Sequence, residues 1–287
     1  MQPQFIVAGA AKAGTTALCE YLGRDPKIFM TSPKELDFFL RPRTPEDVEE
    51  YSVFFKNAGQ LLAGEGSVSY LSNAQQAAPQ LKANFPNLKL VFMLRNPVDR
   101  YVSDFWFYVA KGTIVNKRNL FENILLGKES LYIHNGKVNF RDYLIERGQY
   151  AQHLKIFMQY FDASQIHIIF FEDFIKEQER TIKDLYKFLG VDYVRKEQVV
   201  KQSNKTVYPG RMMPLFVLWK NVKRFLPTKI VNNKAFKDKL LGVKSLFFNN
   251  KKPKLSQASK EKLNKIYKTS ITDLEVLLNK DLSHWKL

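Results

Sequence analysis

The chain has 287 residues, 45% of them hydrophobic, a single cysteine (Cys19) and a formal charge of +17. That is material for one large α/β domain with a sizeable core; it excludes an intrachain disulfide, and no apolar run approaches the roughly 18 residues needed to cross a bilayer. The N-terminus shows no basic segment followed by an apolar stretch and a cleavage site, so the expected location is cytoplasmic. The charge is unevenly placed: residues 201–270 carry 18 Lys or Arg against only Asp238 and Glu261, and the first two hundred residues are close to neutral. Such a block reads as a basic surface for an anionic cofactor, acceptor or membrane, added to an ordinary core.

In chain order, Phe5–Ala8 (FIVA) is a short apolar run leading into a Gly-rich turn, and TTALCEYLGR has the helical spacing of Leu18, Tyr21 and Leu22: strand, loop, helix. Lys89–Leu94 (KLVFML) and Ile166–Phe171 (IHIIFF) are further candidate buried strands with helical patterns between them. Alternation of this kind predicts an α/β fold, a single P-loop-like domain over residues 1–287 whose parallel sheet is flanked by helices on both faces. Residues 201–255 form a basic, partly irregular lid or acceptor region within it. Inside that region PLFVLWKNVKRFLP, between Pro214 and Pro227, puts Leu215, Leu218, Trp219, Val222 and Leu226 on one helical face. It is a helix docked on the core, a lid, or a membrane-contacting segment. A long C-terminal helix is expected over Ser256–Leu278, with Trp285 as a closing plug.

The turn Gly9–Thr16 reads GAAKAGTT. A nucleotide-binding P-loop needs Gly, four residues, then Gly-Lys-Ser/Thr; Gly9 and Gly14 have that separation, but Thr15 stands at the lysine position and the lysine, Lys12, lies inside the loop. Loop amides and the positive end of a helix dipole make an anion site. The strand KLVFML ends in Arg95, where a metal-dependent phosphotransferase would place an aspartate; a guanidinium there repels a metal and attracts a second phosphate. In LRNPVDRYVSDF (Leu94–Phe105), Pro97 can open a helix that carries Ser103 nearly two turns in, on the side from which its hydroxyl could join Arg95 at one anion. The plainer readings are an Arg95–Asp99 ion pair and a solvated Ser103.

Taken together, AKAGTTAL and LRNPVDRYVSDF resemble the sulfotransferases that use 3′-phosphoadenosine 5′-phosphosulfate (PAPS), in particular the bacterial and heparan-sulfate-type branch. The resemblance implies that Lys12, Ala13, Gly14, Thr15 and Thr16 hold the 5′-phosphosulfate, that Arg95 and Ser103 hold the 3′-phosphate, that 3′,5′-adenosine bisphosphate is the product, and that no metal is required. SPKELDFF (Ser32–Phe39) is similar to the family's acidic segment before two aromatics and puts Glu35 in the place of its catalytic base; the plainer reading pairs Glu35 with Lys34 or Arg41. Lys34 itself is either a steering cation for a sulfate or anionic acceptor or a solvent-exposed lysine. PGRMMP is similar to the late Gly-Arg turn beside the nucleotide and implies contacts from Gly210 and Arg211. Gly148–Phe174 resembles the family's helix and strand of that region. Two departures stand out: Gly66 occupies the position of a lysine in GEGSVSYL, and the paired cysteines of secreted relatives are absent.

The implied reaction moves a sulfuryl group to a hydroxyl or amine of a saccharide, lipid or small natural product, with Glu35 as general base and Lys12 stabilising the leaving oxygen. Two rivals remain open at this level: a P-loop small-molecule kinase, and a non-enzymatic module binding polyanions or a membrane surface through residues 201–270. Nucleic acid is not an expected partner of the enzyme reading, and neither the acceptor nor the oligomeric state can be read from the sequence.

Overall fold

Phe5–Gly9 (β1), every residue of it buried, runs through the middle of a five-stranded parallel sheet. In the computed structural model, residues 2–193, 208–209, 248–249 and 255–286 are described. After β1 come Thr15–Leu22 (α1), Ile28–Met30 (β2), Pro45–Ser52 (α2), Leu62–Glu65 (β3), Ala74–Asn84 (α3) and Lys89–Leu94 (β4). They are followed by Pro97–Ala110 (α4), Leu120–Leu125 (α5), the hairpin Tyr132–Ile133 (β5) with Val138–Asn139 (β6), Phe140–Glu146 (α6) and Tyr150–Tyr160 (α7). Ile166–Phe170 (β7), Phe171–Lys176 (α8), Gln178–Leu189 (α9), the short pair Tyr208–Pro209 (β8) and Phe248–Asn249 (β9), and Gln257–Leu278 (α10) complete the described elements.

The sheet order is β2-β3-β1-β4-β7. β1 pairs with β3 through Phe5↔Gly64 and Ile6↔Glu65, and with β4 through Phe5↔Lys89 to Gly9↔Phe92. Because a parallel sheet is covered on both faces, its inner strands are continuous apolar runs and do not alternate. That is why FIVA and KLVFML are legible as strands. β2 and β3, three and four residues long, carry no such run and were not expected from the sequence.

Successive residues of β4 point to opposite faces. Phe92 meets Phe157 of α7 at a ring separation of 5.0 Å, while Met93 reaches toward Gly14 at the start of α1. α3 packs with α7 on the first of these faces. On the other, Tyr21 of α1 packs edge-on against Tyr186 of α9, whose hydroxyl donates to Asp25 at 2.8 Å. The predicted helix, sheet, helix layering is thus observed. Trp285 is buried as expected, against Tyr150 and Phe170.

The chain divides into two units, one made of Met1–Arg100, Ile145–Asn204 and Asn264–Leu287, the other of Tyr101–Leu144 and Lys205–Leu263. The first holds the sheet. In the second, Phe105, Trp106, Phe121 and Phe140 form an aromatic core, with Trp106 stacked on Phe121 at an interplanar angle of 12°. The expected helix at 214–227 lies outside the described residues, as do Gly210 and Arg211 and most of the basic region. Among the described residues no helix is long and apolar enough to cross a membrane.

Gly64 lets β3 lie against β1, because a Cβ there would fall 2.1 Å from the Phe5 ring. Gly64→Ala is therefore expected to lower unfolding free energy by about 1–3 kcal/mol in urea titration, with Phe5→Leu in the same background restoring part of the loss.

Candidate active site

All five strands of the sheet are parallel, so the chain leaves each of them at the same, carboxyl, edge. The strand connection reverses direction between β1, whose chain continues toward β2, and β4, whose chain continues toward β7. Crevices at such reversals, outside the carboxyl ends of the strands, are where open α/β sheets bind ligands. The two segments singled out from the sequence, Gly9–Thr16 and the chain after Leu94, leave the sheet on either side of this reversal.

The loop Ala10–Gly14 is tied to β4 by the Ala10 N–H, which donates to the Met93 carbonyl at 2.7 Å. Lys12 has a left-handed backbone (φ 67), and Gly14 at φ 97 caps α1 without help from a side chain. Gly14 is constrained twice, since a Cβ would also sit 3.0 Å from two ring carbons of Phe171. Past it, α1 begins at Thr15 and Thr16, and the first-turn N–H groups of a helix have no carbonyl partner within that helix. Lys12, Ala13, Gly14, Thr15 and Thr16 therefore share one turn at the start of α1, whose backbone amides suit an anion.

Arg95 joins this turn directly. Its Nη1 donates to the Lys12 carbonyl at 3.2 Å, and its guanidinium lies 4.8 Å from the centre of the Phe171 ring. The Arg95 carbonyl accepts from the Tyr150 hydroxyl at 3.0 Å. Asn96 starts α4 with its side chain, accepting the Val98 N–H at 2.9 Å, while its own N–H donates to Glu172. The guanidinium is thus aimed back at the loop and supported from beneath by an aromatic face, an arrangement that leaves donors for a bound anion. Ser103 is a buried residue of α4 and belongs to the second unit.

Glu35 follows β2 and is anchored by its N–H, which donates to the Gly66 carbonyl just beyond β3 at 2.9 Å. Its carboxylate is exposed and its Oε1 is 2.8 Å from Lys34 Nζ. The plainer sequence reading of Glu35 as a paired carboxylate is therefore part of the structure, with Lys34 and not Arg41 as the partner. Lys34 is also not a freely solvated lysine: only 24% of its side chain is exposed, and its carbon stem lies over Gly66. Cys19, on α1, faces the same glycine, and burial pushes its thiol up to about 12. This packing sets the Lys34–Glu35 pair beside the helix that begins at the anion turn.

Sequence reasoning missed the group behind this pair. Glu65, the last residue of β3, is fully buried and accepts hydrogen bonds from Tyr51 and Ser67. Ser67 Oγ in turn accepts the Asp37 N–H at 2.9 Å, and Ser69 Oγ donates to Asp37 Oδ2 at 3.3 Å. Burial raises Glu65 to about 7, with the nearby Asp37 charge adding to the rise and the two hydroxyls and Lys34 opposing it. Asp37 is raised too, by burial and then by Glu35. The signal that could have found the group is a lone charged residue closing a short apolar stretch, LAGE.

Three non-glycine residues of this edge, Lys12, Glu35 and Asp37, hold left-handed backbone at φ 67, 65 and 49. Each costs of order 1–3 kcal/mol outside the glycine-tolerated cases, and such residues cluster at ligand clamps and active sites.

A family model described as the sulfotransferase domain matches residues 2–275. The chain belongs to the sulfotransferase family. It is 28% identical over 201 residues to a bifunctional heparan sulfate N-deacetylase/N-sulfotransferase 1 of Caenorhabditis briggsae, covering 66% of this chain and 23% of that protein. It is 24% identical to human carbohydrate sulfotransferase 15, covering 68% and 45% of the two chains. The chain thus spans less than half of the length of these relatives. Among solved structures, a sulfotransferase from Alicyclobacillus acidocaldarius matches over the whole of both chains with a TM-score of 0.69 at 22% identity, and shares the fold.

The Glu65 carboxyl gives this sulfotransferase a pH-dependent stability. Its ordinary value of 4.5 applies to the unfolded chain and about 7 to the folded one, so between these values the fold retains a proton that the unfolded chain has released. The stabilisation is complete below about 4.5 and lost as pH rises to about 7, amounting to about 3 kcal/mol. In Glu65→Gln this slope is expected to disappear: the Tm difference, variant minus parent, is more positive at pH 8 than at pH 5. Parallel curves would contradict the assignment.

Proposed function

We propose that the chain transfers a sulfuryl group from PAPS to a hydroxyl or amine, with a saccharide, lipid or small natural product as acceptor. The observation that carries the reading is the Arg95 to Lys12 carbonyl bond. It joins a second cationic recognition point to an anion turn whose lysine is out of P-loop register. A nucleotide with phosphate groups at both its 5′ and 3′ positions suits two such points; a triphosphate with its metal does not call for a guanidinium at the strand tip.

The bound nucleotide supplies the sulfuryl group and an anionic leaving group. The amides of Ala13–Thr16 and the Lys12 ammonium meet negative charge at the turn, where preorganised donors typically contribute about 10²–10³-fold to rate. Arg95, with Ser103 from the same stretch of sequence, takes the 3′-phosphate. Glu35 accepts the acceptor's proton at a carboxylate oxygen, a contribution of roughly 10²–10⁴-fold. Lys34 holds Glu35 Oε1 and so restricts the rotamers of an exposed side chain. The names of the relatives, which specify heparan sulfate and carbohydrate, favour a saccharide among the acceptor classes. Gly210 and Arg211 are proposed as further nucleotide contacts, and the positive charge of residues 201–255 suits an anionic acceptor.

Adenosine 3′,5′-bisphosphate should raise Tm at concentrations where ATP with Mg²⁺ and a short oligonucleotide do not. A shift with ATP alone overturns the donor assignment. Arg95→Ala is expected to weaken the bisphosphate by about 10–100-fold, the loss of one or two charge-assisted hydrogen bonds, while adenosine 5′-monophosphate changes little by calorimetry. Equal losses would place Arg95 elsewhere. Glu35→Gln should lower kcat by roughly 10²–10⁴-fold with bisphosphate affinity kept; wild-type turnover would require a different base.

A further inference from the structure

Glu65 is an unusual residue to bury. Among the described residues its hydrogen-bond partners are two uncharged hydroxyls, Tyr51 and Ser67, themselves almost wholly buried. A carboxyl so placed costs folding free energy that an apolar side chain of similar size would not. What it holds explains the placement. Ser67 donates to Glu65 and so has its oxygen lone pairs directed at the Asp37 N–H. One residue earlier in that segment, the Gly66 carbonyl receives the Glu35 N–H. The turn that presents Glu35 therefore hangs on the segment 65–67 by two main-chain donors, at Glu35 and Asp37. Both residues have left-handed backbone, which needs outside restraint to persist. Tyr51, on α2, fixes the second carboxyl oxygen and closes the arrangement from the far side.

We propose that Glu65 is a positioning residue for sulfuryl transfer: with Tyr51 and Ser67 it latches the Glu35–Asp37 turn to the end of β3 and so sets where the Glu35 carboxylate stands. The proposal rests on the reading of Glu35 as the base. Glu65 touches neither nucleotide nor acceptor and acts only through that turn. Displacements of about 1 Å in a reacting group can cost about 10²-fold in rate, so loosening the latch should lower kcat without affecting the anion turn.

The test uses the full chain and three variants, Glu65→Gln, Ser67→Ala and Glu35→Gln, with the doubles Glu35→Gln/Glu65→Gln and Glu35→Gln/Ser67→Ala. Hydrogen exchange read by mass spectrometry is expected to show the Glu35 and Asp37 amides exchanging at least about tenfold faster in Ser67→Ala and Glu65→Gln, with peptides of the Ala10–Thr16 turn unchanged and bisphosphate affinity kept. This readout needs no acceptor. Turnover is followed as bisphosphate release from PAPS with a de-N-sulfated heparin oligosaccharide as the probe acceptor. Each single variant at the latch should lose roughly tenfold or more in kcat in the parent background and nothing further in the Glu35→Gln background, because residues acting through one group are not additive. Unchanged exchange at Glu35 and Asp37 overturns the latch. Equal fractional losses in both backgrounds overturn positioning and leave a structural role. Full turnover by Glu35→Gln alone sinks the base assignment and is separable from both, since the exchange result does not depend on it. If Glu65→Gln fails to fold, Ser67→Ala, which keeps the carboxyl, decides.

Discussion

Parallel pairing of β1 with β3 on one side and β4 on the other is the constraint on which the rest of the site depends. Parallel strands end together, so the loops after β1, β3 and β4 must leave the sheet at a single edge. Fixing Ile6 opposite Glu65 and Gly9 opposite Phe92 decides which loop residues become neighbours there. The Ala10 to Met93 hydrogen bond extends this pairing one residue past β1, which is why the turn carrying Lys12 begins flush with the strand that delivers Arg95. Register also explains the demand for small residues: Gly64 opposite Phe5 and Gly14 against Phe171 are places where two backbones or a backbone and a ring lie too close for a Cβ.

On that frame the edge carries two electrostatic regions of opposite sign. Around β1 and β4 the contributors are helix N–H groups, Lys12 and Arg95, all suited to anions. Around β2 and β3 they are Glu35, Asp37 and Glu65, with Lys34 between them. Lys34 moderates both carboxyl neighbours and Cys19, lowering what burial and the carboxylates raise. The proposed transfer uses this polarity, with an anionic donor at one end and a proton acceptor at the other. The support beneath each region is different in kind. Arg95 rests on aromatic rings, Phe171 below it and Tyr150 on its carbonyl, with Trp285 behind Tyr150. The acidic side rests on hydroxyls, which tune charge as well as position.

Much of the fold was legible in the sequence, and the reason is local. β1 and β4 are interior strands covered on both faces, so each writes an unbroken apolar run, and β7, at the edge of the sheet, still reads as the mostly apolar IHIIF; α1, α4 and α10 follow turn or proline signals that act within a few residues. The turn into α1 was legible because glycine spacing, the displaced lysine and the start of the helix all lie within eight residues, Gly9–Thr16. Arg95 could be singled out because it ends a recognisable strand. β2 and β3 were not legible. Ile28–Met30 and Leu62–Glu65 are too short to show a period, and they are strands because neighbouring strands supply the missing hydrogen bonds.

The sequence by itself determined the chemistry available: a lysine inside a glycine turn, an arginine at a strand tip, a glutamate before two aromatics. Only the tertiary structure decided how those groups are held. Lys34 lies over Gly66 because β2 and β3 are adjacent, and Glu65 meets Tyr51 because α2 folds back to the end of β3. No pattern of spacing encodes such contacts. They form between segments up to 32 residues apart (Asp37 with Ser69) once register brings them together, and burial then gives an ordinary carboxyl its raised affinity for a proton.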